Sequence, residues 1–171
     1  MESWVPSEAL ALTIVTAGTG LAAVIDLRTR HIPNALTGAL AVIGVGIAAA
    51  KLGPIGLGGA LLGCALGLAF MLPGHLFGAT GAGDVKLFAA AGALLGPATT
   101  VQAFLYTAVV GGVLAVAIAI RRRRLRQTLG ATAKLVSEGS SAAAAIEAPE
   151  VDNRFAYAPA IAVGVVMAAL L

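Results

Sequence analysis

Charge is scarce in this sequence: 11% of its 171 residues are Asp, Glu, Lys or Arg, while 59% are hydrophobic. A soluble domain carries about 25% charged residues, so the chain cannot cover a water-facing surface. The same shortage excludes disorder, which goes with few apolar residues and abundant charge. Cysteine is nearly absent as well. Cys64 is the one thiol, which rules out an internal disulfide and a cysteine-based metal site; in its apolar run it reads as a small packed residue. His31 and His75 are the only histidines, and nothing has the His-x-x-x-His spacing of a zinc protease. Gly-x-Ser-x-Gly, Walker and dinucleotide-binding patterns are also missing. Both histidines read as interfacial polar residues rather than ligands.

The few charges are badly mixed. Between Ala35 and Ile120 only Lys51, Asp84 and Lys86 are charged, three in 86 residues. Apolar runs of helical length cover Ala9–Ile25, Ala35–Ala50, Ile55–Leu72, the short Leu87–Leu95, Thr99–Ile120 and Phe155–Leu171. The expected fold is therefore all-α, a polytopic membrane bundle of about six transmembrane helices forming a single membrane-embedded domain over 1–171. The fourth run is too short to span unless it starts near Asp84, is half-length, or lies inside the bundle. Gly56, Gly59, Gly63 and Gly67 form a stripe of small residues suited to close helix packing.

Orientation follows from the cations. An N-terminus facing out puts the loops after residues 25, 72 and 120 in the cytoplasm, with ten of the eleven Lys and Arg residues. The absence of a basic segment before the first run, and the arginines after it, predict an uncleaved anchor rather than a signal peptide. Residues 121–153 open with Arg121-Arg-Arg-Arg-Leu-Arg126 and continue Ser/Ala/Glu-rich. They read as a cytoplasmic basic, flexible linker before the last helix, the arginines anchoring topology in contact with the lipid bilayer rather than binding nucleic acid. On this topology Asp26 and Asp84 face the same side.

Each aspartate has a structural reading. Asp26 follows an apolar run, where the helix dipole repels a carboxylate; it could pair with Arg28 or Arg30. Asp84, after Gly83 and before an apolar run, could be a helix N-cap, and Gly81 and Gly83 suit a tight turn or a close backbone approach. Taken together they allow acid–base chemistry. Two adjacent carboxylates share one proton, so the ionised one can take a proton from water while the protonated one polarises a peptide carbonyl. Such a pair needs neither metal nor cofactor.

Three blocks then carry a resemblance. Asp26-Leu-Arg28 with Ile32-Pro33-Asn34, the run Gly81-Ala-Gly83-Asp84-Val-Lys86-Leu87, and Tyr157-Ala-Pro159-Ala-Ile-Ala-Val-Gly164 resemble, in order, the motif blocks of the type IV prepilin peptidases, membrane aspartic peptidases with a Gly-x-Gly-Asp motif. Ala156 stands where proline is common in the family. The resemblance implies that Asp26 and Asp84 are the catalytic pair. It implies supporting or substrate-binding roles for Arg28, Pro33, Asn34, Gly81, Gly83, Lys86, Tyr157 and Pro159, with Lys86 either pairing with Asp84 or serving only as a topology lysine. The implied activity is removal of a short basic leader from a prepilin or pseudopilin at the cytoplasmic face of a bacterial (inner) cell membrane. The paired Cys-x-x-Cys domain of larger relatives has no counterpart here, and N-methylation is not expected. The short form resembles the enzymes of tight-adherence (Flp-type) pilus systems or of archaeal pilin processing. Two other classes stand against this reading: a non-catalytic scaffold of a pilus or secretion assembly, and a small proton-coupled transporter using the aspartates as carriers.

Overall fold

The computed structural model describes residues 6–121 and 157–171. The linker expected over 121–153 lies, apart from Arg121, outside the described residues. Five helices follow one another: α1 (Pro6–Thr29), α2 (Asn34–Ala49), α3 (Leu57–Leu76), α4 (Ala82–Arg121) and α5 (Ala158–Leu170). The fold is all-α, with no strand among the described residues.

The fourth and fifth expected segments run together as α4, but they are not one rod. Gly96 has φ 74° and ψ 175°, a region only glycine enters without strain, and the Pro97 that follows has no N–H to continue the ladder. Across this break Phe88 and Phe104 meet edge to face with ring centroids 6.2 Å apart. Sixteen residues of unbroken helix would hold them about 24 Å apart, so the chain doubles back at Gly96. The first arm, 82–95, and the second arm, 97–121, form a helical hairpin that brings Arg121 back toward the end of the bundle where α4 begins.

The two arms differ in what surrounds them. Every residue from 87 to 96 is buried, as expected of a helix apolar all round, so the short run is the central post of the bundle. α3 lies against it through Gly63 and Gly67, two members of the expected small-residue stripe, and α2 through Gly44. Phe70 of α3 stacks on Phe104 at 4.8 Å and closes the other side. Among its described residues the second arm buries only the stripe Thr100, Ala103, Thr107 and Gly111. Its Leu105, Val109, Val113, Val116 and Ile120 are exposed, as are Leu61, Leu62, Leu68 and Leu72 of α3. Small residues inside and large aliphatic ones outside are the composition a bilayer demands, since lipid removes the incentive to bury leucine and leaves close van der Waals packing to hold helices together.

Ala9–Thr29 and Leu57–Leu76 are long and apolar enough to cross a membrane; the stretch Ala82–Ala117 is so by length and composition, but because it folds back at Gly96 its two arms count separately. α2 and α5 have 16 and 13 residues, or about 24 and 20 Å at 1.5 Å per residue, short of the roughly 30 Å hydrocarbon core.

Candidate active site

The C-terminal end of α1 meets the N-terminal ends of α4 and α5, and both aspartates lie at that junction. Asp26 occupies the last turn of α1. Its carbonyl accepts the Arg30 N–H at 2.7 Å, with Arg30 in the left-handed region at φ 52° to close the helix. The side chain turns inward and is 7% exposed. Its Oδ2 accepts the main-chain N–H of Ala158, the first residue of α5, at 3.3 Å. The positive end of α5 thus faces the carboxylate that the end of its own helix disfavours. The charge of Arg30 also acts on Asp26, which partly meets the pairing expected from sequence.

Asp84 is the third residue of α4, and its two oxygens are used differently. Oδ2 accepts the Gly81 N–H at 3.0 Å, the reach-back that an acid at this position of a helix makes to its cap. Oδ1 is buried and has no hydrogen-bond partner among the described residues, and the side chain is 6% exposed. The capping reading of Asp84 therefore accounts for one oxygen and leaves the other without a partner among the described residues. Asp26 and Asp84 lie near enough to interact electrostatically. Two buried carboxylates, 58 residues apart in sequence, thus come together at one junction within an apolar bundle.

Around them the supporting residues sort unevenly. Gly83 takes Ile32 against its open side, where a Cβ would sit 3.1 Å from the isoleucine Cβ; this docks the Asp84 turn on the α1–α2 loop. Pro33 precedes α2 in extended geometry, and its carbonyl accepts the Leu36 and Thr37 N–H groups. Lys86 does not bond Asp84: its Nζ donates to Asn34 Oδ1 at 3.0 Å, tying α2 to the first turn of α4. Asn34, given a supporting role by the resemblance, is the partner in that bond. Arg28 and His31 are exposed, and a ring nitrogen of His75, Nδ1, lies 3.1 Å from the Thr80 carbonyl. Pro159 sits in the first turn of α5, and half-buried Tyr157 interacts electrostatically with Asp84. Among the described residues no group of three or more His, Cys, Asp or Glu side chains is gathered that could hold a metal ion.

Because the Lys86–Asn34 bond is exposed, it is expected to contribute modestly. Lys86→Met and Asn34→Ala should each lower activity by less than about tenfold, and the double variant by no more than the larger single effect. Steady-state kinetics of the three variants checks this; a Lys86→Met loss as deep as that of an aspartate variant would make the lysine part of the chemistry.

Sequence reasoning did not find the Ala158 main-chain N–H. A backbone donor has no residue signature, although Pro159 marked the start of a helix there. Residues 13–116, well over half of the chain and including both aspartates, match the family model described as the type IV leader peptidase family. No curated protein and no solved structure matches the chain.

Proposed function

The chain belongs to the type IV leader peptidase family, and on that premise we propose that it is a membrane-embedded aspartic endopeptidase in which Asp26 and Asp84 jointly activate water. The observation that carries this reading is the buried, electrostatically coupled carboxylate pair, with one oxygen of Asp84 lacking any hydrogen-bond partner among the described residues. In the proposed reaction the ionised carboxylate takes a proton from water as its oxygen attacks the scissile carbonyl carbon. The protonated carboxyl donates its hydrogen bond to the carbonyl oxygen, where negative charge develops. Collapse of the tetrahedral species breaks the C–N bond, and the proton taken from water passes to the departing amine. Neither carboxylate forms a bond to the substrate.

The substrate is proposed to be a prepilin or pseudopilin whose short basic leader lies at the cytoplasmic face of a bacterial inner membrane. Support for the sidedness comes from the cations: Arg28, Arg30 and Lys86 cluster at the end of the bundle that holds the aspartates, whereas Lys51 lies in the α2–α3 connection. Arg28, Pro33, Asn34, Gly81, Gly83 and Lys86 are proposed to shape that end, and Tyr157 and Pro159 to set the start of α5. Incubating the purified chain in lipid with a full-length prepilin, and weighing the products by mass spectrometry, tests the function. A single cut that frees the leader is expected. Precursor that stays intact would overturn the reading, and cuts scattered along the chain would overturn the specificity.

A further inference from the structure

The second arm of α4 meets α5 at two rungs of its buried stripe. At one, Gly164 of α5 lies so close to Thr107 that a Cβ there would collide with the threonine hydroxyl. At the other, one turn further along, buried Gly111 receives the tip of the Tyr157 ring. The position of a Gly111 Cβ would be 2.6 Å from the phenolic oxygen, 2.7 Å from Cε2 and 2.8 Å from Cζ. Atoms that close do not coexist, so a methyl group at 111 must displace the ring. Gly112, the next residue, has nothing within 4 Å of its Cβ position. These adjacent glycines, indistinguishable in sequence, differ in that one supports Tyr157 and the other faces open space.

What Tyr157 is attached to gives this contact a consequence for the pair. The next peptide N–H belongs to Ala158, which is fully buried and donates to Asp26, while Tyr157 itself interacts with Asp84. The hydrogen bond to Asp26 therefore depends on where the chain at 157–158 lies. We propose that Gly111 is a positioning residue for the carboxylate pair: by carrying no side chain it seats the Tyr157 ring, and that seat holds the Ala158 N–H on Asp26. The activity arm of its test rests on the peptidase reading; the exchange arm does not.

Four forms of the full chain in lipid are compared with wild type: Gly111→Ala, Gly112→Ala, Tyr157→Ala, and the double variant Gly111→Ala/Tyr157→Ala. Amide hydrogen exchange resolved at Ala158 reads the bond to Asp26 without reference to any reaction. Gly111→Ala should speed it at least about tenfold, and Gly112→Ala should leave it unchanged. In prepilin cleavage Gly111→Ala should lower kcat at least about tenfold with KM within about twofold, because a misplacement near 1 Å costs rate more than binding. Adding Gly111→Ala to Tyr157→Ala should change neither quantity further, since the ring through which it acts is gone; this comparison decides the matter even if the single Gly111 variant folds poorly. Unchanged Ala158 exchange in a folded Gly111→Ala protein would overturn the proposal, as would a further tenfold fall in the double variant. If no form cuts prepilin while the exchange pattern holds, the peptidase reading fails and the seat stands.

Discussion

Replacing either aspartate by asparagine should abolish leader cleavage, with kcat falling at least about 10³-fold, in the range expected when an essential acid or base is removed. Asparagine keeps the shape and keeps an acceptor. At 84 its amide oxygen can still take the Gly81 N–H, and at 26 the Ala158 N–H, so the hydrogen bonds that organise the helix ends survive. What disappears is the ability to hold and release a proton. The loss should come without loss of structure: burying a carboxylate is unfavourable, so both variants should insert normally and unfold at the same temperature as wild type or higher. Cleavage kinetics and a thermal melt on the same preparations check the two halves together. A variant that is inactive because it has lost structure would not support the pair. One that cuts at nearly the wild-type rate would remove that residue from the mechanism.

The largest expected effect on stability lies away from the chemistry, where α3 crosses the first arm of α4. A Cβ at Gly63 would collide with the Gly92 carbonyl oxygen, and one at Gly92 with the Gly63 carbonyl oxygen. The obstacles are main-chain atoms, which no rotamer change can move aside, so the helices themselves must part. Gly63→Ala should therefore destabilise the protein by about 3 kcal/mol, the upper end for overpacking, outweighing the roughly 1 kcal/mol that alanine gains over glycine in a helix. Gly58 lies on the same helix with nothing within 4 Å of its Cβ position, and Gly58→Ala should be neutral or slightly stabilising. Denaturation midpoints in one detergent separate the two. Because the first arm carries Asp84 in its first turn, parting it from α3 should also reduce cleavage, through loss of folded protein rather than through a change in KM.

Much of this fold is legible in the sequence because membrane helices advertise themselves. The apolar runs mark all five helices, two of them falling on α4, and Gly96-Pro97 marks where α4 breaks. The shortness of Leu87–Leu95 left three readings open, a start near Asp84, a half-length helix or a place inside the bundle; the helix starts at Ala82 and is buried on every side from 87 to 96. The site was legible in a different way. Asp26 stood out as a charge where the helix dipole opposes one, but the donor that relieves it comes from a main chain 132 residues away, beyond the reach of any local pattern. Asp84 could not be assigned as cap or chemical group from sequence because it serves as cap through one oxygen and leaves the other buried and unpaired. Lys86 was misleading by proximity: two residues from Asp84 in sequence, its ammonium reaches Asn34 instead. The difference between Gly111 and Gly112 has no sequence signature, since it exists only in what packs against them.

The central claim is that the two carboxylates act as one unit, and a double-variant cycle on kcat tests it most directly. Asp26→Asn, Asp84→Asn and the double variant are measured against wild type with the same prepilin. Groups that share a single function are strongly non-additive, so the double variant should be no slower than the slower single one. Losses that multiply, leaving the double variant slower than either by another 10³-fold or so, would mean that Asp26 and Asp84 work separately and would contradict the pair.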